Sequence, residues 1–309
     1  MAPLTEEMQE PSSLVSAALR EKALRALAAL PPFSPVLNRL LASMAGEDAS
    51  FIKLAELIEK DTVVAGNILL LVNSAQYARR GTINSVRHAL SLLGMDKLRN
   101  AVLGMSITRM WHGVRPPASW PMARFNLHSA ATAILSDMLA QRLPVNYPEG
   151  AYVAGLMHDI GRLLIAVGLP QEHDRILAHH RTIGRPIAES ELELLGFAHP
   201  ELSEQTLIFW KLPEPIQRAA RDHHAPPAAS KSGELPLGRV VAAADQYVHS
   251  IGVSVLMQSD LLQSSPMQGD GRAEAGVAGL EALGLDTRGL ETLLDEFRVE
   301  FDAMMPFFR

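Results

Sequence analysis

Apolar positions along this chain recur at three- and four-residue intervals, and nearly every sustained run of them predicts a helix. The first spans Ser13 to Leu30, with Leu14, Ala18, Leu24 and Leu27 among its apolar positions, and Pro31-Pro32 ends it. A second starts near Pro35 and carries Val36, Leu37, Leu40, Leu41 and Met44 before Gly46. The next opens at Asp48 or Ser50 and holds Ile52, Leu54, Leu57 and Ile58. Asp61-Thr62 then caps a more apolar helix, VVAGNILLLV, which stops at Asn73-Ser74. Tyr77 to Gly81 reads as a loop. Two further helices follow, Asn84 to Leu93 and Asp96 to about Met110, with Gly94 between them as a left-handed stop.

The run HGVRPPASWP, 112–121, is a proline-rich break and the candidate boundary between two halves. Beyond it the pattern predicts helices at 122–142, 149–166, 171–182, 187–195, 200–210, 214–223 and 237–252, with loops at 226–236 and 263–276. The stretch from Thr287 to Met305 is amphipathic, with Leu290, Leu293, Leu294, Phe297 and Phe301 near one face, a stripe that reads as ordinary core. No window in 13–112 alternates as a strand would. The fold class is therefore all-α, built from two packed helical subdomains. A disordered tail, 1–12, precedes an amino-terminal bundle of short helices, 13–112. A second bundle covers 121–255, and 256–309 is a loop and a carboxy-terminal helix packing on it.

Composition narrows the chemistry. A chain 48% apolar and only 5% aromatic suits a helical core, and a net charge of −6 gives no footprint for nucleic acid. With no cysteine, thiolate zinc sites, disulfides and Cys nucleophiles are excluded. Any metal must be held by His and carboxylate, which suits iron, manganese or zinc. The start, MAPLTEEMQEPSS, lacks the basic and apolar regions of a signal peptide. The most apolar window, Ala151 to Leu169, is broken by His158, Asp159 and Arg162, too polar for a membrane span. The expected location is the cytoplasm.

Those three residues raise the functional question, because buried charge costs several kcal/mol unless it is paired or metal-bound. Possible partners stand on other predicted helices: His128 in NLHSAATAIL, His199 before Pro200, His223-His224 at the end of PIQRAARDHH, and Asp245 in VVAAADQYV. Singly, each has an ordinary explanation as a core hydrogen-bonder, a cap or a residue favoured by a helix terminus. Together, the order His, His-Asp, His, His-His, Asp on separate helices is how helical bundles build metal sites. Adjacent helical residues point about 100° apart, so His158 and Asp159 could bracket a metal pair with Asp159 bridging. Gly161 would permit close backbone packing, and Arg162 is spaced to hold an anion such as phosphate. His88, His112, His173, His179, His180 and His249 have no such context and read as structural or surface histidines.

The set His128, His158-Asp159 and Asp245 resembles the H…HD…D signature of the all-α HD-domain metal-dependent phosphohydrolases. The first half is similar to a narrower group, the HDOD family of bacterial signalling proteins. It carries LPPFSPVLNRLLASM and then IEKDTVVAGNILLLVNSAQYARRGTINSVRHALSLLGMDKLRNAVLG, with LVNSAQY the most specific part. The resemblance covers about 24–225 strongly and reaches weakly to Asp245. His199 and His223-His224 resemble extra ligands of the HD-GYP phosphodiesterases. Their GYP motif is replaced here by HHAPPAAS, Arg162 stands where they carry lysine, and Arg124 where some carry an acidic third-metal ligand. The resemblance thus implies a regulatory protein with a dinuclear divalent-metal site, iron before manganese or zinc. The metal ligands are His128, His158, Asp159, His199, His223, His224 and Asp245, with Asp159 and Arg162 the catalytic residues if it is an enzyme. The implied partners are other signalling proteins or a small phosphorylated ligand, with neither nucleic acid nor membrane. An active metal-dependent phosphohydrolase on a nucleotide-type substrate is the alternative, and a metal-free interaction scaffold comes third.

Overall fold

A computed structural model describes residues 12–29, 35–43, 55–56, 58–74, 77, 82–111, 113–230, 233–256 and 270–308. Among these, helices dominate, no strand forms, and Val145 and Leu235 make one isolated parallel bridge. The helices are α1 (Ser13–Arg25), α2 (Pro35–Ser43), α3 (Thr62–Val72), α4 (Val86–Leu93), α5 (Met95–Trp111), α6 (Met122–Ala140), α7 (Ala151–Met157) and α8 (Ile160–Gly168). They continue as α9 (Pro170–Ile183), α10 (Ile187–Leu195), α11 (His199–Phe209), α12 (Glu214–Asp222), α13 (Leu237–Ser250), α14 (Asp270–Glu281) and α15 (Thr287–Met304). The expected helix between Asp48 and Ile58, the tail 1–12 and the loop 77–81 lie largely outside the described residues.

Local chemistry explains most of the boundaries. Asp61 caps α3 by accepting from the backbone N–H of Val63 and Val64, each at 3.2 Å, and Ser85 caps α4 through the His88 N–H. Gly94 stops α4 as expected but with φ 80° and ψ 171°, so it is extended rather than left-handed helical. The window expected as a single helix over 149–166 is two helices, α7 and α8, with His158 and Asp159 in the turn between them. Asp159 sits at φ −98° and ψ 10°, the bridge region where active-site residues are often found. The expected loop 263–276 is helical from Asp270 onward.

One contiguous apolar cluster runs from Leu37 to Phe308, through both sides of the proline-rich break. Helix α1 precedes that break yet packs on α8, α10 and α11. There Ala23 joins Ile165, Leu195, Phe197 and Leu202, and Arg20 pairs with Glu201 at 2.6 Å. The stretch Pro148–Gly168 is long and apolar enough to cross a membrane, but 94% of that window is buried inside the protein, the position of a core helix.

Two glycines set the spacing around the His158 turn. A Cβ on Gly155 would lie 2.8 Å from the Ala133 Cα, so α7 presses directly on the α6 backbone. One on Gly161 would lie 2.1 Å from the His199 carbonyl oxygen, so α8 meets the start of α11 equally closely. A third tie fixes α13. In the α6–α7 loop the Pro144 carbonyl accepts from the Leu235 N–H and the Asn146 N–H donates to the Leu235 carbonyl, while the Asn146 Oδ1 accepts from the Leu237 N–H.

Candidate metal centre

These contacts bring all seven sequence-predicted ligands to one place. His128 comes from α6, His158 and Asp159 from the α7–α8 turn, and His199 from the first residue of α11. His223 and His224 follow α12, and Asp245 lies on α13. All are buried except His224, which is more open.

Asp159 stands at the middle. Its Oδ2 faces one histidine pair, 3.8 Å from His128 Nε2 and 3.9 Å from His158 Nε2. Its Oδ1 faces another, 3.1 Å from His199 Nε2 and 3.7 Å from His223 Nε2. Asp245 Oδ1 lies 3.0 Å from His128 Nε2 and 3.5 Å from His158 Nε2. His224 Nε2 lies 3.0 Å from His199 Nε2. Three groups have ligand atoms mutually within 4.8 Å: His199, His223 and His224; His128, His158 and Asp159; and His128, Asp245 and His249.

The outer edges of the rings decide what the inner edges can do. The Nδ1 atoms of His128, His158 and His223 face the carbonyls of Val253, Gly155 and Ala220 at 2.9, 2.7 and 2.7 Å. A carbonyl can only accept, so each Nδ1 carries a proton, and in its neutral form each ring turns a bare Nε2 lone pair inward. His128 and His158 then point two lone pairs at each other across 3.4 Å. Among the described residues the buried inner atom His223 Nε2 has no hydrogen-bond partner, and Asp245 Oδ1 is crowded by His128 Nε2 at 3.0 Å and His249 Nδ1 at 2.9 Å. Such an arrangement repels itself unless a proton or a metal cation lies among the atoms, and hydrogen-bonded imidazoles beside carboxylates are what divalent metals take.

The electrostatics divide the cluster: burial disfavours the charged form of His158, but Asp159 and Asp245 outweigh it and raise the imidazole above its ordinary value. Burial opposes ionisation of Asp159, yet Arg162, His158 and His199 outweigh it and hold the carboxyl well below the usual range. Asp245 is likewise held down, by His249, His128 and His158 against burial. Burial, reinforced by neighbouring imidazoles, pushes His223 well down and His224 to about 4. Burial also lowers His128. His199 goes the other way, to about 9, because Glu191 and Asp159 overcome its burial. Ionised carboxylates beside His128, His223 and His224, all shifted toward the neutral form, make a donor set that fits a divalent metal, and His158 and His199 would give up a proton on joining it.

Several participants were not legible in the sequence. Glu191 on α10 accepts from the His199 ring Nδ1 at 2.6 Å and from its backbone N–H at 2.8 Å, the carboxylate–histidine pairing that orients metal ligands. No spacing joins Glu191 to the other ligands, since it stands on a separate helix. His249, expected to be structural or surface, has its Nδ1 2.9 Å from Asp245 Oδ1 and its ring against His128. The signal was present, because Asp245 and His249 are one helical turn apart. Arg162 departs from its expected role. It is buried with its NH1 3.0 Å from Asp159 Oδ2, engaged with the carboxylate instead of reaching toward an anion. Arg124, in the position noted for a third-metal ligand, donates to the carbonyls of Ser254 and Leu256.

A cleft of about 580 Å³ opens beside the cluster, lined by His223, His224, Asp245 and His249. Arg239 is on its wall, and Gly279, Ala282 and Leu283 close it from the α14 side.

Comparison with known proteins follows the same lines. The family model of the HDOD domain matches residues 30–226. The match takes in His128 through His224 and stops before Arg239, Asp245, His249, α14 and α15. An uncharacterized protein of Treponema pallidum (strain Nichols) is 22% identical over 223 residues, 71% of this chain and 42% of its own length. The chain thus spans less than half of the curated relative it matches. An HDOD domain protein of unknown function from Geobacter sulfurreducens superposes with a TM-score of 0.71 at 20% identity, covering 94% of this chain and 97% of its own. A protein from Shewanella amazonensis SB2B, provisionally named a phosphohydrolase, gives 0.70 at 23% identity over 93% and 98%. At these identities the likeness concerns the fold.

Proposed function

We propose, from the premise that this chain belongs to the HDOD domain family, that it is a bacterial cytoplasmic signal-transduction protein whose carboxy-terminal half holds two divalent metal ions. The observation that carries this reading is the inward aim of histidine Nε2 atoms, with Nδ1 of His128, His158 and His223 against backbone carbonyls, around two ionised carboxylates. His128, His158 and Asp245 would hold one ion and His199, His223 and His224 the other. Asp159 presents one oxygen to each group. Iron is the first choice, with manganese and zinc next.

Two such ions, when bound, supply a water acidified toward neutral pH and Lewis-acid stabilisation of phosphoryl charge. The chain's own residues hold the ligands in place. Arg162 keeps Asp159 ionised and aimed, Glu191 fixes the His199 ring, and His249 fixes Asp245. Other signalling proteins, or a small phosphorylated ligand in the cleft, are the partners this arrangement would serve.

The cleft also favours a second reading, an active phosphohydrolase or phosphodiesterase on a nucleotide-type substrate. It opens on the cluster, and Arg239 offers the cation that Arg162 does not. Elemental analysis of purified protein, followed by assay of the metal-loaded form, separates the readings. Near-stoichiometric metal without turnover of phosphomonoesters, nucleotides or cyclic dinucleotides is the outcome expected of a regulatory protein. Turnover abolished by Asp159→Ala would establish the hydrolase instead. Protein that takes up none of iron, manganese or zinc would overturn both.

A further inference from the structure

A second cavity lies away from the metal cluster, between α5, α6, α7 and α15. It holds about 430 Å³, within the range of about 300–1,000 Å³ common for small-molecule sites. Its walls are largely apolar, from Ala101, Ile134, Met138, Val299 and Met304. Polar side chains from three helices meet in it: Asn100 of α5, Asp137 of α6 and Tyr152 of α7.

These three are more than nine-tenths buried. Among the described residues, the Asn100 Oδ1 and the Tyr152 hydroxyl have no hydrogen-bond partner. Buried polar atoms in native proteins are nearly always satisfied, and each exception calls for a specific cause. Asp137 receives a bond from the Gln141 side chain at 2.6 Å, and burial pushes its carboxyl up to about 6 against the pull of Asn100 and Arg99. The lining carries four carboxylates and two cations, and both cations are already paired, Lys97 with Glu300 and Arg142 with Glu296. The inner end therefore offers two kinds of acceptor, the Asp137 carboxylate and the Asn100 Oδ1, beside a Tyr152 hydroxyl that can donate or accept.

We infer that this cavity is a binding site for a compact planar ligand carrying an amidine- or guanidine-type N–H edge. Parallel N–H donors on one edge match a carboxylate in the bidentate manner. A third donor would satisfy the Asn100 oxygen, and a flat apolar body would fill the space between Ile134, Met138 and Val299. An anionic ligand would face the excess of carboxylates, and a purely apolar one would leave the two orphan atoms unmet. The site is distinct from the proposed metal centre. Asp137 is nine residues from His128 along α6, roughly 13 Å by helical rise.

Calorimetric titration of the full chain with 2-aminobenzimidazole, a soluble planar guanidine, tests the proposal, with toluene as the apolar control. Saturable one-to-one binding is expected for the first and none for the control. Asp137→Asn and Asn100→Ala should each weaken it roughly 10-fold or more. Val299→Trp, at an exposed position on the cavity wall, should obstruct it without touching the buried core. Removing metal with a chelator, or His158→Ala, should leave it unchanged, so that failure here and failure of the metal reading are separable. Absence of saturation up to about 1 mM, binding indifferent to Asp137→Asn in protein that keeps its helical circular dichroism, or binding that follows the metal would each overturn it.

Discussion

The histidine cluster and the α5–α6–α15 cavity both bury polar atoms that the protein leaves unsatisfied, but at different spacing. In the cluster, His128, His158, Asp159 and Asp245 point bare atoms at each other across 3.0 to 3.9 Å. That spacing suits an ion. In the cavity, Asn100 and Tyr152 border a space of about 430 Å³, room for a molecule. The distance between unmet atoms thus indicates the size of the partner that would satisfy them. The rims differ too. The outer ring edges of His128, His158 and His223 face carbonyls and that of His199 faces Glu191, as a coordination site requires. In the cavity, only the charged side chains near the mouth are paired.

The largest expected effect is on the cluster. Asp159→Ala removes the carboxylate facing both histidine groups, and metal affinity should fall by more than the roughly 10–100-fold typical of an outer-shell change. Metal analysis beside far-UV circular dichroism checks this, and unchanged occupancy in folded protein would break the cluster half of the comparison.

Gly161→Ala comes next. Its Cβ would meet the His199 carbonyl at 2.1 Å, and neither backbone can yield easily. Denaturant unfolding should record a loss near the upper end of the 1–3 kcal/mol typical of overpacking, about 3 kcal/mol. Metal should be lost with it, because α11 carries His199.

Asp137→Asn should have the opposite sign. The folded carboxyl ionises near 6, above its unfolded value near 4, so stability falls as pH rises through that window. Above pH 6 the ionised group costs about 3 kcal/mol at 1.36 kcal/mol per pH unit, discounted somewhat by its hydrogen bonds. The neutral amide should therefore stabilise the protein at pH 8 and give no gain below about pH 4. Equal unfolding midpoints at both pH values would show that Asp137 is not held in a low-dielectric pocket.

Glu191→Gln should act on one half of the cluster. It weakens the hold on His199, so one of two ions should bind about 10–100-fold less tightly while the other is retained. A single class of metal affected uniformly would argue against two separable groups. The smallest effect belongs outside both regions. Arg109 forks onto Asp61 at 2.9 and 3.1 Å in a partly exposed pair, and Arg109→Ala should cost no more than about 1 kcal/mol while changing neither metal content nor ligand binding.

What the sequence determined by itself is local or chemical in kind. Helical periodicity depends on neighbours three and four residues apart, so α1, α3, α6, α10 and α15 are legible, as are the Asp61 cap and the absence of thiolate chemistry. Seven His and Asp residues out of place in apolar helices sufficed to nominate the cluster. Tertiary structure alone decided the rest. Whether Arg162 reaches outward or pairs with Asp159 depends on the turn that splits 149–166, and that turn is fixed by the contact of Gly161 with the α11 backbone. Glu191 becomes a partner of His199 only because α10 folds back beside α11. The cavity exists only where helices far apart in the chain fail to fill the space between them. A side chain's type is written in the chain, whereas the partner that satisfies it is chosen by packing.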